Sequence, residues 1–220
     1  MKPRHLIAFA ILIPWAGARA EAAEEKVPWT VTADVQMVSV SREQGLALLP
    51  QLRDARTIDA AFERLQKIIE AEPAALLAWP HLHTRGGEES WARNIEENRC
   101  PDPNDPVGKI DVHHLGPEFQ ATPIVQTRGT NIQLEITARF VRLRGIQRYP
   151  AGQSPIGFKH VLEQPEFSIS SVQTTLSIAN GGRLLLGSFF VPAPKPHVEL
   201  FMLHATAVRA DFPKPKTPAP

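Results

Sequence analysis

Cysteine is all but missing: Cys100 is the only one in 220 residues. The chain therefore cannot close an internal disulfide, and burial and strand pairing must hold it together. Aromatic residues make up only 7% of it, with a single tyrosine, which leaves little material for a broad aromatic band. No apolar run reaches the roughly 20 residues a membrane helix needs, although a β-barrel, whose strands carry a weaker alternating signal, is not excluded by that. Charge of one sign does not dominate either. The formal net charge is +1, which gives no electrostatic pull toward nucleic acid or an anionic membrane surface, so no nucleic-acid partner is expected. Phosphate-cradling loops are absent too, because neither Gly86-Gly87 nor Gly181-Gly182 opens a helix. No cofactor is expected.

Residues 1–20 read as a secretory signal. Lys2 and Arg4 precede an apolar run from Leu6 to Trp15, and Ala18-Arg19-Ala20 supplies the small-x-small cleavage pattern. The cut would leave Glu21 first, with no cysteine there for lipid attachment. Losing Lys2, Arg4 and Arg19 moves the net charge from +1 to −2. Residues 21–29 form a leader, 30–208 the folded domain, and 209–220 a proline-rich disordered tail with Lys214 and Lys216.

Along the domain, Val31, Ala33, Val35 and Met37 alternate with Thr32, Asp34 and Gln36, which predicts a strand. Val38 and Val40 then reverse the parity and predict a bulge near Met37. Ser41 is placed to cap a short helix that Pro50 would stop. Ile58, Phe62, Leu65 and Ile69 fall at helical spacing between Thr57, a candidate cap, and Pro73. That amphipathic stripe predicts a helix lying on a sheet. Beyond Pro73 only strands are expected: a hairpin about Gly86-Gly87, a loop from Arg99 to Pro106, a pair about Arg128-Gly129, a long connection or hairpin from Tyr149 to Pro165, and a hairpin about Asn180-Gly181. Leu184, Leu185 and Leu186 sit in a strand that reads as buried on both faces, and Val198 to Val208 is the last strand. The order predicts an α+β, mainly β fold: an antiparallel sheet with one or two amphipathic helices packed on it.

The chemical constellations are thin. His81-x-His83 places two imidazoles on one strand face, with Glu88 across the turn as a third metal ligand, but polar-face strand residues explain the spacing as well. Glu88-Glu89 and Glu96-Glu97 are adjacent carboxylates that a strand would point apart, and Cys100 has no histidine base at a fixed spacing. No catalytic residue and no metal site is assigned, and the chain does not read as an enzyme. Trp79, Trp91 and Phe140 read as core, and Phe189, Phe190 and Phe201 as core or as part of a lipid-facing band.

Read together, the segments resemble a known family. Leu65-Gln66-Lys67-Ile68-Ile69 leads through Ala74-Ala75-Leu76-Leu77-Ala78-Trp79-Pro80 to His81-Leu82-His83-Thr84-Arg85-Gly86-Gly87. Ala121-Thr122-Pro123-Ile124-Val125 and Ile132-Gln133-Leu134-Glu135-Ile136 follow as paired strands. Gln164-Pro165-Glu166-Phe167, Val172-Gln173-Thr174-Thr175-Leu176-Ser177-Ile178 and Gly181-Gly182-Arg183-Leu184-Leu185-Leu186-Gly187 close the series. In order and spacing, from about Val31 to Val191, this is similar to the C-terminal β-domain of the secretins, the ring-forming outer-membrane channels of bacterial secretion systems.

The resemblance implies a non-catalytic, exported envelope protein of the periplasm or outer membrane, acting in protein secretion or as a structural ring or accessory. It would associate with further copies of itself and with secretion-system or other envelope proteins. Gly86, Gly87, Gly181, Gly182 and Gly187 are its turn positions. Leu184, Leu185, Leu186, Phe189 and Phe190, with the strand from Val198, are the candidate subunit interface. The chain departs from the pattern where Ser188, not a second glycine, follows Gly187, and in the short segment from Arg99 to Phe119 where the channels carry their gate. A soluble periplasmic binding or scaffold module that keeps the fold without a pore is the alternative.

Overall fold

The computed structural model describes residues 29–101, 110–126, 128–153, 159–192 and 195–210. The signal segment, nearly all of the leader and residues 211–220 lie outside them. Strand β1 (Trp29–Ser41) leads into helices α1 (Arg42–Arg53) and α2 (Ile58–Ala71) and a 3-10 turn at Pro73–Ala75. Only strands follow: β2 (Leu76–Ala78), β3 (His81–Arg85), β4 (Ser90–Arg93), β5 (Glu96–Pro101), β6 (Ile110–Val125), β7 (Asn131–Gln153), β8 (Lys159–Ala179), β9 (Arg183–Val191) and β10 (His197–Arg209).

The strands divide into two antiparallel sheets. The first runs β2-β1-β10-β9, with β3 continuing β2 along the same side of β1; the second runs β4-β6-β7-β8, with β5 continuing β4 along β6. They stack face to face, and the two helices cover part of the outer face of the first sheet. The fold is α+β and mainly β, in three layers.

That layering explains β1. Its apolar residues change parity after Met37, yet its register against β10 is unbroken from Trp29↔Arg209 to Ser41↔His197. No bulge reverses this strand; the irregularity lies in β2, which shifts against β1 between Met37 and Val38. Val31, Ala33, Val35 and Met37 pack into the core between the sheets, whereas Val38 and Val40 pack under the helices with Leu48, Leu52, Ile58, Ala61 and Leu65. The covering layer changes along the strand, and the sequence follows it.

β10 carries both coverings at once. Val198, Leu200 and Met202 meet the helices while Phe201, Leu203, Ala205 and Ala207 meet the second sheet. It is therefore the doubly buried strand, not β9, whose Leu184, Leu185 and Leu186 are each half-buried because β9 borders the sheet. Phe201 is fully buried and faces no lipid.

Two expected hairpins are arches. β3 pairs with β1 and β4 with β6, so the Gly86-Gly87 turn carries the chain from one sheet to the other. The Asn180-Gly181 turn does the same between β8 and β9. At this second arch the Asn180 amide imitates a strand residue: its Nδ2 donates to the Ala207 carbonyl at 2.8 Å and the Ala207 N–H donates to its Oδ1 at 2.8 Å. Nδ2 also donates to the Gly129 carbonyl, 3.0 Å away in the β6–β7 turn. The β6–β7 pair about Arg128-Gly129 is a true hairpin, with Val125 opposite Ile132.

Other expectations shift for local reasons. Pro50 lies inside α1, which continues to Arg53. Proline removes the N–H that would bond the Leu46 carbonyl, but both residues are exposed and water can take that place. Ser41 caps α1 through a reciprocal pair with Gln44. Thr57 does not cap α2; its hydroxyl donates to the Gln51 carbonyl at 2.8 Å and ties the two helices together. Arg99 to Pro101 are strand, not loop. Trp79 and Trp91 are 55% and 59% exposed, whereas Phe140 is core.

α1 sits so close to the sheet that a Cβ on Gly45 would lie 2.7 Å from the Val198 Cβ and Cγ2. Neither atom ends a flexible chain, so the helix or strand would have to move. Gly45→Ala is expected to lower stability by about 1–3 kcal/mol through overpacking, outweighing the roughly 1 kcal/mol that alanine gains in a helix interior. Denaturant unfolding of the purified protein measures this, and an unchanged or raised midpoint would contradict the packing.

Candidate functional site

The arches decide where unpaired backbone lies. Each sheet has two borders, and the stacking order is the same in both: β1 lies over β6, β9 beside β8 and β3 beside β4. One flank of the sandwich therefore presents the outer edges of β9 and β8. The opposite flank presents β2–β3 and β4–β5. Among the described residues no strand pairs with any of these outer edges.

β9 is the most apolar of them. Its sequence, Arg-Leu-Leu-Leu-Gly-Ser-Phe-Phe-Val, pairs with β10 at eight positions on one side and with nothing described on the other. Leu184, Leu186 and Phe189 lean on the core between the sheets and Leu185 on the helix side. Phe189 stacks on Phe201 with ring centroids 5.0 Å apart, and its ring covers Gly187, where an added Cβ would meet Phe189 Cε2 at 3.3 Å. Gly187 thus lies within β9, at the register shift against Phe201, and not in a turn. Phe190 is 54% exposed on the helix side, with the Arg42 guanidinium 5.4 Å from its ring centre. Beside it opens a cleft of about 240 Å³ lined by Arg42, Leu46, Leu49, Ser188, Phe190 and Val198.

The other glycines sit at the arches. Gly87 and Gly181 have φ of +88° and +79°, a conformation that L side chains seldom adopt. Gly86 and Gly182 precede and follow them, and an added Cβ on Gly182 would lie 2.8 Å from the Ala179 carbonyl. β10, expected to meet a neighbour, has both edges taken by β1 and β9 and offers no backbone to another chain.

Two ribbons leave the sandwich. β7 and β8 pair from Asn131↔Ala179 to Gln153↔Lys159, well past the last core residues at Phe140 and Val141. β6 meets β7 only from Gly116 onward, and before that pairs with β5. Gly116 is the fork. Its φ is +118°, and a Cβ there would lie 2.1 Å from the Asn94 carbonyl oxygen. The ribbons touch where the His113 and Phe167 rings lie 4.3 Å apart.

At the root of the longer ribbon is a charged group that periodicity hides. The core-facing row of β7, Ile132-Leu134-Ile136-Ala138-Phe140, continues to Arg142, and that of β10 contains Glu199, which is fully buried. The two form an ion pair across the sheets. Ser170 of β8 donates to the same carboxylate at 2.5 Å. His197 Nδ1 donates to the Lys195 carbonyl at 2.8 Å, and its Nε2 lies 3.1 Å from the Arg142 guanidinium and 3.4 Å from Glu199 Oε1. Burial first, and then neighbouring Arg144, lower the Arg142 pKa from its ordinary value. Among the described residues every buried side-chain nitrogen and oxygen has a partner. With Glu199 closed to solvent, the group ties three strands and has no room for a substrate.

The two histidines of the His81-x-His83 spacing lie elsewhere. His81 and His83 project from β3 on the helix-free part of the first sheet, both exposed. His83 Nδ1 is 3.0 Å from Thr32 Oγ1, and beside them Asp34 accepts from Trp79 Nε1 at 2.9 Å and sits 3.1 Å from His204 Nδ1. Among the described residues no three His, Cys, Asp or Glu side chains are arranged to hold a metal ion. Cys100, on β5, donates to Asn98 Oδ1 at 2.9 Å. The outer face of the second sheet is polar, with Gln133, Glu135, Arg139, Ser171, Gln173, Thr175 and Ser177 exposed.

No family model and no curated protein matches the chain. Solved secretin structures are similar to it. The InvG secretin-domain β-barrel of the Salmonella SPI-1 injectisome is 12% identical with a TM-score of 0.45, over 86% of this chain and 63% of that one. The type II secretion system secretin GspD of E. coli K12 is 12% identical with a TM-score of 0.42, over 83% and 48%. The V. cholerae type IV competence pilus secretin PilQ is 12% identical with a TM-score of 0.41, over 82% and 60%. The chain thus spans between about half and two thirds of the length of these proteins.

Removing Glu199 would leave Arg142 and Ser170 facing a void. Glu199→Ala is expected to cost about 3 kcal/mol, the lower end for a broken buried pair, because the Arg142 side chain is 29% exposed and can reach water. Leucine at both positions is expected to recover most of that loss. Unfolding midpoints of the single and double variants test the pair, and equal loss in both would contradict it.

Proposed function

We propose that this chain is a non-catalytic subunit of a multi-copy β-wall in the cell envelope, serving protein secretion or standing as a structural ring or accessory of the outer membrane. The observation that carries this reading is β9, a long apolar strand whose outer edge pairs with no strand among the described residues. An exposed apolar edge is a template for another strand, and proteins that stay apart blunt it with charge, proline or a cover. Within β9 only Arg183, at its first position, does so.

The counting supports a closed wall. Each sheet is four strands wide and antiparallel throughout, so its two borders run in opposite directions. A second copy set beside the first in the same orientation would pair β9 with β2–β3, and β8 with β4–β5, antiparallel in both layers. Such contacts are head to tail, the type that makes a ring when the rotation between copies closes. One chain has too few strands to close a wide barrel alone. The secretin resemblance in the sequence points to the same arrangement, and an exported envelope protein with secretion-system partners agrees with it.

Fractionation followed by gel electrophoresis without boiling tests the reading. The envelope fraction is expected to hold a heat-resistant multimer that collapses to a single band on boiling. A monomer in the soluble periplasmic fraction would overturn it and favour a scaffold module without a pore.

A further inference from the structure

The two free edges of the first sheet are close in length. β9 pairs with the levels of β10 from His197 to His204, Val191 to Arg183. On the far side, Ala78 to Arg85 stand level with Met37 to Thr30 of β1, and so with Phe201 to Val208 of β10. Pro80 belongs to that ladder, since its carbonyl accepts from Val35 N–H at 3.0 Å. Counted from Ala78, beyond the register shift that separates it from Leu76, the second edge is eight levels long like the first, and it is displaced by four.

Laid edge to edge with full overlap, β9 of one copy and Ala78 to Arg85 of the next pair antiparallel. Val191 falls opposite Ala78, Phe190 opposite Trp79, Ser188 opposite His81 and Gly187 opposite Leu82. The faces agree as well. Phe190 and Ser188 share the helix side with Val198 and Leu200, as Trp79 and His81 share it with Asp34. Phe189 and Leu82 both belong to the core between the sheets. A slip by one residue would turn every one of these side chains to the wrong face. The constant stagger of four is also what a closed barrel requires, since its strands must tilt.

Charge in the helix layer points the same way, while at the far end this register sets Arg183, which pairs with Asp59, opposite Arg85. The helix layer above the β2 border ends in Glu70 and Glu72, with no basic residue in the last turn of α2. The cleft at the β9 border carries Arg42.

We infer that copies of this chain associate in one register, in which the exposed Trp79 of one seats against Phe190 in the α1–β9 cleft of the next. This rests on the head-to-tail reading above. Trp79 and Phe190 are both more than half exposed in the single chain, and their contact would bury the two aromatic surfaces together, the kind of central anchor on which interfaces depend.

Cysteine pairing in the full-length exported chain tests it, in a Cys100→Ser background. Trp79→Cys with Phe190→Cys places the thiols on opposite borders of one copy, three strand spacings across and four levels along, roughly 20 Å apart, so only neighbouring copies can be joined. Oxidation followed by non-reducing electrophoresis is expected to give a ladder of covalent multimers. Its yield should be about tenfold above that of Phe190→Cys combined with Ala78→Cys or Pro80→Cys, whose thiols face opposite sides. Each single-cysteine variant should stop at dimers, and its far-ultraviolet circular dichroism reports its folding. A multimer without the Trp79–Phe190 ladder would overturn the register and leave the proposed function standing. A protein that stays monomeric would overturn both.

Discussion

A sheet can be buried only where something lies on it, and the first sheet is covered by different layers along its length. The second sheet lies under one face and the paired helices over half of the other. Everything in the central strands follows from that unequal coverage. β1 moves its apolar residues from one face to the other at Val38 without breaking register, and β10 is apolar on both faces from Leu200 to Leu203, where the two coverings overlap. Beyond the helices the exposed face turns to Thr30, Thr32, Asp34 and His204. Gly45 sets how closely α1 approaches, since any side chain there would strike Val198.

The same layering turns tight turns into arches. A chain leaving β3 or β8 finds its own sheet already bordered on the inner side, and crosses to the facing sheet through Gly87 or Gly181. Arches, unlike hairpins, leave both strands they join with one edge empty. The empty edges consequently gather on the two flanks, four strands apart and oppositely directed. This geometry makes head-to-tail pairing between copies a natural completion of both sheets.

Parts of the candidate site were legible in the sequence. The apolar run of β9, the glycine turns and the amphipathic stripe of α2 are local patterns, and local patterns survive folding. Gly187 reads as a turn position in the sequence, whereas it lies within β9 with the Phe189 ring over it. Arg142 and Glu199 were not legible at all. Each continues an apolar row where periodicity alone suggests a return to solvent, and their partnership joins strands far apart in the chain. Trp79 looked like core because tryptophan usually is; it is exposed because the short β2 and β3 form a border that no other described element covers.

By itself, the sequence determined the kinds of element and their order: one strand, two helices, then strands, antiparallel and mainly β. Those depend on spacing between neighbours, which the covalent chain carries. Only the tertiary structure decided that the strands form two sheets, that the glycine turns bridge them, and that β9, not β10, keeps a free edge. Pairing and coverage are set by residues distant in the chain, and alternation along one segment holds no record of which partner will lie across from it.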